Sequence, residues 1–223
     1  MLSLKIISLP LAVFLFTFSV EGVAESQAPF KDSKEAQLSK KKWKVIDGFR
    51  SAKFGMDEKQ VARAIAKDFK IPKSKVRREV HPTTKTTILT LSAQNLIELG
   101  GPANIAYILG YKSKRLIHID ITWGINESKG VLSKDIVNAA NLLQTHFIKK
   151  RYQEGVVVNG RINDTVLIIF RGRDKNGRMI LLRLISGKVK KGEDKKESIE
   201  ALGLALSYIQ KPEKPDVFKA KAK

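Results

Sequence analysis

The spacing of apolar residues along the chain predicts two amphipathic helices. Over residues 61–69 an apolar side chain recurs every fourth position, which is typical of a helix that buries one face. Asp57 precedes this stripe and Gln60 stands three residues later, so the two side chains are predicted to form a capping box. Pro72 is expected to end the helix, because proline lacks the amide hydrogen that a helix interior needs.

A second apolar stripe follows Ser133, which is predicted to cap the start of another helix. Three cations close this segment at 149–151, where positive charge interacts favourably with the negative end of a helix dipole. The stripe consists of Ile136, Ala140, Leu143 and Phe147.

Alternating patterns predict strands after the first helix. Residues 115–123 alternate between an apolar set, which is predicted to face a core, and a second set that includes His118 and Asp120. A three-residue loop at 112–114 pairs this strand with the apolar run at 103–111. The predicted cross-strand neighbours are Tyr107 with Ile119 and Leu109 with Ile117, and a shorter strand is predicted at 87–93.

The chain after the second helix also has the pattern of strands, at 155–160, 165–173 and 179–186, with a last alternating strand at 204–208. A three-residue loop with Gly177 in the left-handed conformation is predicted to join the second and third of these. That register places Phe170 opposite Leu182 and Ile168 opposite Leu184, facing the core. The residues predicted to project from the opposite face include Arg171, Arg173 and Arg183.

A helix followed by an antiparallel meander is thus predicted twice. The expected fold class is α+β, with two helix-plus-meander modules at 43–130 and 131–210 and the helices packed on one sheet face. The similarity of the two halves rests on element order, and two such modules could also join into one continuous sheet.

The two ends of the chain are predicted to lie outside these modules. Lys5 precedes an apolar run at 6–20 and a small-residue site at 22–24, the layout of a signal peptide cleaved near Ala24, so we expect a periplasmic protein. Residues 25–42 are polar and are predicted to form a flexible leader. The last residues, 211–223, contain two prolines and a basic run and are predicted to form a disordered basic tail.

Composition indicates which partners the chain is attracted to and which kinds of site it cannot form. The chain has a formal net charge of +20, which favours encounters with anionic surfaces such as phospholipid, acidic polymers, nucleic acid or an acidic protein. Cysteine is absent, so disulfides, thiolate nucleophiles and thiolate metal ligands are excluded.

A resemblance in sequence also favours an exported α+β protein. The stretch Phe49-Arg50-Ser51-Ala52-Lys53-Phe54-Gly55-Met56-Asp57, leading into Val61, Ala64 and Ile65, resembles the opening of the BamE/SmpA-like and β-lactamase-inhibitor-like small secreted modules. The segment from Gly101-Pro102-Ala103 to Gly110-Tyr111-Lys112-Ser113-Lys114 is similar to uncharacterised periplasmic proteins of Gram-negative bacteria. The resemblance implies α+β units that serve as binding, assembly or inhibitory domains and are not enzymes.

No catalytic, metal or cofactor site is predicted. The sequence contains no G-x-S-x-G, H-E-x-x-H, P-loop or G-x-G-x-x-G motif. His118 and Asp120 share one face of a strand and could ligate a metal or orient a base, but the alternation of the strand already explains them as a polar solvent face, and a metal site needs three or four ligands. His81 and His146 show no sign in the sequence of converging with this pair.

The residues predicted to bind a partner are Arg171, Arg173 and Arg183, because guanidinium groups bind phosphate and carboxylate through two parallel hydrogen bonds. The expected function is a periplasmic, non-enzymatic binding or adaptor protein that engages a protein partner or an anionic envelope component, including a membrane surface, without a small-molecule cofactor. Two alternatives remain open: an envelope hydrolase acting on an acidic polymer, and a periplasmic nucleic-acid-binding protein.

Overall fold

A computed structural model describes residues 42–94, 96–97, 100–124, 132–191 and 196–220, which all fall within the unit Lys40–Lys223. The predicted signal peptide at 1–24 lies outside the described residues, and so does the predicted leader apart from its last residue. The predicted module boundary at 130 also lies outside them.

Two helices and ten strands are present in the described part of the chain. In chain order they are β1 (Gly48–Phe49), β2 (Ala52–Lys53), α1 (Glu58–Phe69), a 3₁₀ turn (Lys73–Lys75), β3 (Arg77–Val80), β4 (Thr87–Ala93), β5 (Ala103–Leu109), β6 (Leu116–Trp123), α2 (Ser133–Ile148), β7 (Gln153–Asn163), β8 (Val166–Arg173), β9 (Met179–Lys191) and β10 (Lys196–Ile209).

Eight of these strands form one antiparallel sheet in the order β3-β4-β5-β6-β10-β9-β8-β7, and β1 pairs with β2 separately. The predicted architecture of two helix-plus-meander modules is therefore wrong. The last strand, β10, pairs with β6 in the middle of the sheet, and Leu206 lies opposite Ile121. Because these partners are far apart in sequence, hydrophobic periodicity, which is a local signal, does not reveal their pairing.

Helix α1 begins as the sequence predicts. The Gln60 amide donates to Asp57 Oδ1 and the Asp57 amide donates to Gln60 Oε1, both at 2.9 Å, so the capping box is confirmed. Val61 and Ile65 on the predicted stripe are completely buried. The helix therefore lies with its apolar face against the sheet.

Helix α2 begins differently from the prediction. Leu132 occupies the N-cap position, and Ser133 is the first helical residue and caps nothing within the helix. Its hydroxyl oxygen instead accepts a hydrogen bond of 2.9 Å from the Ala201 amide, beside the irregularity between Ala201 and Gly203 in β10. A strand bulge leaves amides without ladder partners, and the serine satisfies one of them.

The core lies on one face of the sheet, between the strands and the two helices. Phe170 of β8 stacks on Phe147 of α2 with 5.4 Å between ring centroids, and it also contacts the Tyr152 ring. Both helices and strands from both halves contribute to the same buried cluster. Its largest fully buried side chains include Trp123, Tyr107, Phe170, Ile65, Ile105, Ile119, Ile121, Ile136 and Ile180.

Two bulges alter the predicted strand registers. Tyr107 lies opposite Ile119 and Phe170 opposite Leu182, as predicted. Irregularities then pair Leu109 with Leu116 and Ile168 with Arg183, so the predicted neighbours Ile117 and Leu184 are wrong. A bulge inserts one residue into one strand and moves the following side chains to the other face. Ile117 consequently leaves the core.

The hairpin loop between β8 and β9 has the predicted form. Gly177 has φ of +72°, in the left-handed region that glycine adopts without steric cost. Buried Asp174 organises the loop, since its Oδ1 accepts from the amides of Asn176 and Arg178 and its Oδ2 accepts from the Ile46 amide. The same carboxylate thereby ties the start of the described chain to the sheet.

The sheet face opposite the helices is called the open face here. One row of directly paired residues crosses it from β5 to β8, and a second, parallel row runs beside the first from β4 to β8. The first row consists of Ala106, Asp120, Ser207, Leu181 and Arg171, and the second of Ile88, Ile108, His118, Ile209, Met179 and Arg173.

Candidate functional site

A cavity of about 660 Å³ lies on the open face. Its volume is within the range of small-molecule sites in proteins, and its lining joins an aliphatic floor to a few polar groups, as such sites do. The aliphatic lining residues are Ile88, Ala106, Ile108, Ile117, Ile209 and Val217. The polar and charged lining residues include His81, Thr84, Thr86, Arg115, His118, Asp120, Gln210, Lys211 and Asp216.

Register explains the aliphatic floor. Ile88 of β4 lies opposite Ile108 of β5, which lies opposite His118 of β6, which in turn lies opposite Ile209 of β10. Directly paired residues in a sheet project from the same face, so this row places three isoleucines and a histidine side by side. The floor therefore depends on the pairing of β10 with β6.

One wall of the cavity is the segment 210–218, called the C-terminal strap here. The Asp216 carboxylate accepts hydrogen bonds from the amides of Lys112 at 3.0 Å and Ser113 at 2.9 Å. Phe218 donates its amide hydrogen to the Thr84 carbonyl at 2.8 Å, and its ring contacts Tyr111. The sequence predicts a disordered tail from 211 onward, whereas these contacts hold the described part of it, 211–220, against the turns β5–β6 and β3–β4.

A hydrogen-bonded network of four side chains leads away from the cavity. His118 Nε2 lies 3.0 Å from Asp120 Oδ1, and Ser207 donates its hydroxyl hydrogen to the same oxygen. Arg183 Nη2 donates in turn to Ser207 Oγ at 3.1 Å. The network spans β6, β10 and β9, and Ser207 within it is buried.

This network keeps Asp120 ionised. Burial acts to raise the pKa of Asp120, but the hydrogen bond and charge of His118, the hydrogen bond from Ser207 and the charge of Arg183 together hold it below its ordinary value. Asp216 behaves similarly: burial acts to raise its pKa, and the hydrogen bonds from Ser113 and Lys112 outweigh burial. The carboxylates that line the cavity are therefore both anions at neutral pH.

The network does not have the order of a hydrolytic triad. In such a triad the imidazole lies between the serine and the carboxylate and takes the serine proton. Here Asp120 lies between the other two groups, and its oxygen receives both the Ser207 hydroxyl hydrogen and the contact from His118. This arrangement orients side chains and stabilises a charge, and it places no imidazole on the serine hydroxyl.

The three predicted binding arginines all lie on the open face, but in different surroundings. Arg173 pairs with Glu213 of the C-terminal strap. Arg183 is engaged with Ser207 through one terminal nitrogen. Arg171 lies opposite Leu181, and the Nε atoms of Arg171 and Arg183 are buried without a hydrogen-bond partner in the described part of the chain. The structure thus separates Arg173, which has a carboxylate partner, from the other two.

The structure brings two of the three histidines to one place. His81 and His118 both line the cavity, which the sequence does not indicate. His81 Nδ1 accepts from the amides of Thr83 and Thr84, so its ring is held by the turn that follows β3. Across the described ranges, no group of three or more His, Asp or Glu side chains is arranged to hold a metal ion.

Sequence reasoning missed Ser207 and the C-terminal strap. Ser207 lies on the face of strand 204–208 that points away from the core, where a polar residue is ordinary, so the sequence contains no signal for its burial. The strap has no periodic pattern, and its prolines favoured disorder.

No protein-family profile, curated protein or solved structure matches this chain. Neither described helix is both long enough and apolar enough to cross a membrane.

Proposed function

We propose that the protein is a non-enzymatic binding protein that takes a small amphipathic ligand, an apolar body with an anionic group, in the open-face cavity. The aliphatic floor of this cavity, bordered on one side by polar and basic groups, is the observation that carries the proposal. An apolar body buried there is removed from water, which contributes about 25 cal/mol per Å² of apolar surface.

Charge at the cavity supports an anionic group on the ligand. Arg115 and Lys211 both line the cavity. The two lining carboxylates, Asp120 and Asp216, already accept hydrogen bonds from Ser207 and from the Lys112 and Ser113 amides. Arg115 lies 3.5 Å from Asp57, and both side chains are about half exposed, so this pair is weakly held. The net charge of +20 adds a general attraction for anions.

Two features favour binding over catalysis. In the Ser207–Asp120–His118 order the serine hydroxyl contacts the carboxylate and not the imidazole that takes its proton in a hydrolytic triad. A hydrolase of acidic polymers would be expected to use a cleft carboxylate with a raised pKa, whereas the pKa values of Asp120 and Asp216 are lowered. Export and a periplasmic location remain predictions from residues 1–24, and a protein partner or anionic envelope component remains a proposal for what the open face engages.

The experiment is a fluorescence titration of the purified protein with two probes. 1-Anilinonaphthalene-8-sulfonate has an apolar body and an anionic group, and N-phenyl-1-naphthylamine has a similar body without the charge. We expect saturable binding of both probes, tighter for the anion. Ala106→Phe fills the cavity floor and should weaken both probes by about tenfold or more, which corresponds to 1.4 kcal/mol per factor of ten.

Matched variants separate the cavity from general surface binding. Ala66→Phe adds the same ring to an exposed position of α1 and should leave both affinities unchanged. Lys211→Gln combined with Arg115→Gln should weaken the anionic probe only. Equal effects of the two phenylalanine substitutions, or an absence of saturable binding, would refute the proposed function.

A further inference from the structure

We propose that Arg171 and Arg183 form a second site, distinct from the cavity, that binds a phosphate group. The site goes beyond the proposed function, since the cavity lining contains neither arginine. Strand register, buried donors without a described partner and the balance of charge support this site.

Register places Arg171 and Arg183 as diagonal neighbours on adjacent strands of the open face. Arg171 of β8 lies directly opposite Leu181 of β9, and Arg183 is two residues further along β9 on the same face. Diagonal neighbours of this kind are about 7–8 Å apart, within the reach of two arginine side chains. Arg183 extends toward Ser207, which lies opposite Leu181 from the other side, so its guanidinium group lies near the row that contains Arg171.

Both arginines contain a donor that no described residue satisfies. The Nε atoms of Arg171 and Arg183 are buried, and neither has a hydrogen-bond partner within the described residues. A guanidinium group has five N–H donors in a fixed planar arrangement, and a buried donor without an acceptor is costly. Two such donors on adjacent strands indicate that an acceptor from outside the chain completes them.

The balance of charge around the two arginines also favours an added anion. Ion pairs within the described residues include Arg173 with Glu213, and they include neither Arg171 nor Arg183. Asp120, whose carboxylate lies beyond Ser207, is the nearby anion in this network, and it is shared with His118. Two guanidinium charges thus face one carboxylate, and an added anion would balance the excess.

Phosphate fits this arrangement better than carboxylate. A carboxylate offers two oxygens, which one arginine fork occupies, whereas a phosphate offers three or four oxygens and up to two negative charges to two forks from different strands. A free phosphate ion and a lipid headgroup both present this group, and the same contacts serve both.

Spacing across the sheet separates this site from the cavity. From Asp120 the row passes through Ser207 and Leu181 to Arg171, which is three strand spacings and about 14 Å. Arg183 lies nearer, because Ser207 joins it to Asp120 of the cavity lining, so Arg171 is the member of the site that lies clear of the cavity.

The test is isothermal titration calorimetry of the purified protein with inorganic phosphate, soluble dihexanoyl phosphatidic acid and, as a zwitterionic comparison, dihexanoyl phosphatidylcholine. We expect Arg171→Gln to weaken binding by about tenfold or more. Arg171→Lys keeps the charge but loses the fork, so it should restore only part of the affinity. Arg173→Gln is the matched control, two residues away on the same face, and should change the affinity less than threefold because Glu213 already occupies that arginine.

The outcomes separate the sources of the phosphate group. If Arg171→Gln weakens the binding of inorganic phosphate and Arg171→Lys restores only part of it, the site binds the free ion. If only the binding of phosphatidic acid responds in this way, the site binds a lipid headgroup. No binding of either compound, or an equal loss in Arg171→Gln and Arg173→Gln, would overturn the proposal. Ala106→Phe should leave phosphate binding intact, so this site can fail or hold independently of the cavity. Thermal unfolding of each variant checks that it is folded.

Discussion

Ser207 donates its hydroxyl hydrogen to Asp120 Oδ1, and this contact joins β10 to β6 at the centre of the sheet. The two residues are also direct neighbours in the strand register. The hydrogen bond therefore depends on the β6–β10 pairing that joins the eight strands into one sheet. It also helps to keep Asp120, which lines the cavity, ionised.

Substitution of Asp120 by Asn should destabilise the protein in a pH-dependent manner. At pH 7 we expect the free energy of unfolding to fall by about 1–3 kcal/mol, because hydrogen bonds to a charged acceptor are lost. The pKa of Asp120 is lowered in the folded protein, so its contribution is present above the unfolded-state pKa of about 3.9 and is lost as the pH falls through the folded-state value. Urea unfolding of both proteins at pH 7, 5 and 3 measures the difference.

The control for this experiment is Asp164→Asn, since Asp164 is fully exposed and pairs only weakly with Arg161. Its effect should be small at every pH. A difference between wild type and Asp120→Asn that stays constant from pH 7 to pH 3 would contradict the assigned role of the charge.

Loss of the capping box should destabilise α1. Asp57→Ala removes the acceptor of the Gln60 amide, and we expect the free energy of unfolding to fall by about 1 kcal/mol. Asp57→Asn retains an N-cap acceptor and loses only the charge that faces Arg115, so it should cost a few tenths of that amount. Chemical denaturation monitored by circular dichroism compares the variants, and equal losses would show that the ion pair, and not the cap, stabilises this end of the helix.

The C-terminal strap should loosen when its anchor is removed. Asp216→Ala removes the acceptor of the Lys112 and Ser113 amides. We expect faster hydrogen exchange at these two amides and at the Phe218 amide, with a loss of stability of about 1 kcal/mol. Hydrogen exchange followed by NMR measures this directly, and the Asn176 amide, which donates to Asp174, serves as an internal reference. Unchanged exchange at 112 and 113 would show that the strap is held by other contacts.

Removal of the unpaired Arg171 donor should not destabilise the protein. In phosphate-free buffer we expect Arg171→Met to leave the free energy of unfolding unchanged or to raise it by about 1 kcal/mol, because a buried donor without a partner is replaced by an apolar group. Arg173→Met, by comparison, loses the pair with Glu213 and should be neutral or slightly destabilising. Urea unfolding distinguishes the two, and a clear loss of stability in Arg171→Met would show that this arginine has a structural role.

The local elements of the fold were predictable, and the reasons are physical. The Asp57–Gln60 capping box needs only residues three positions apart, and Gly177 needs only a tight loop between two apolar strands. The pairs Tyr107–Ile119 and Phe170–Leu182 follow from hairpin geometry close to the turn. The bulge of the β5–β6 hairpin lies between Tyr107 and the turn, and that of β8–β9 lies beyond Phe170; the binary pattern of the sequence carries no mark of either.

Single residues of the candidate site could be predicted from the sequence, but their arrangement could not. Sequence alternation places His118 and Asp120 on one face, but their network requires Ser207 from a strand that lies more than eighty residues away. The arginines were identified by residue type, whereas their different surroundings depend on packing: Glu213 pairs with Arg173, and Arg171 and Arg183 each have a buried nitrogen that no described residue pairs. The cavity needs four strands and the strap at once, and nothing in the linear pattern brings these together.

The sequence by itself determined the positive charge, the absence of thiol chemistry, the capped first helix and the strand alternation, because these depend on composition or on neighbours within a few positions. The tertiary structure decided that β10 pairs with β6, that one continuous sheet replaces two modules, and that the strap closes a cavity on the open face. Contacts between distant residues are set by the free energy of the whole packed chain, and a local pattern is compatible with many such arrangements.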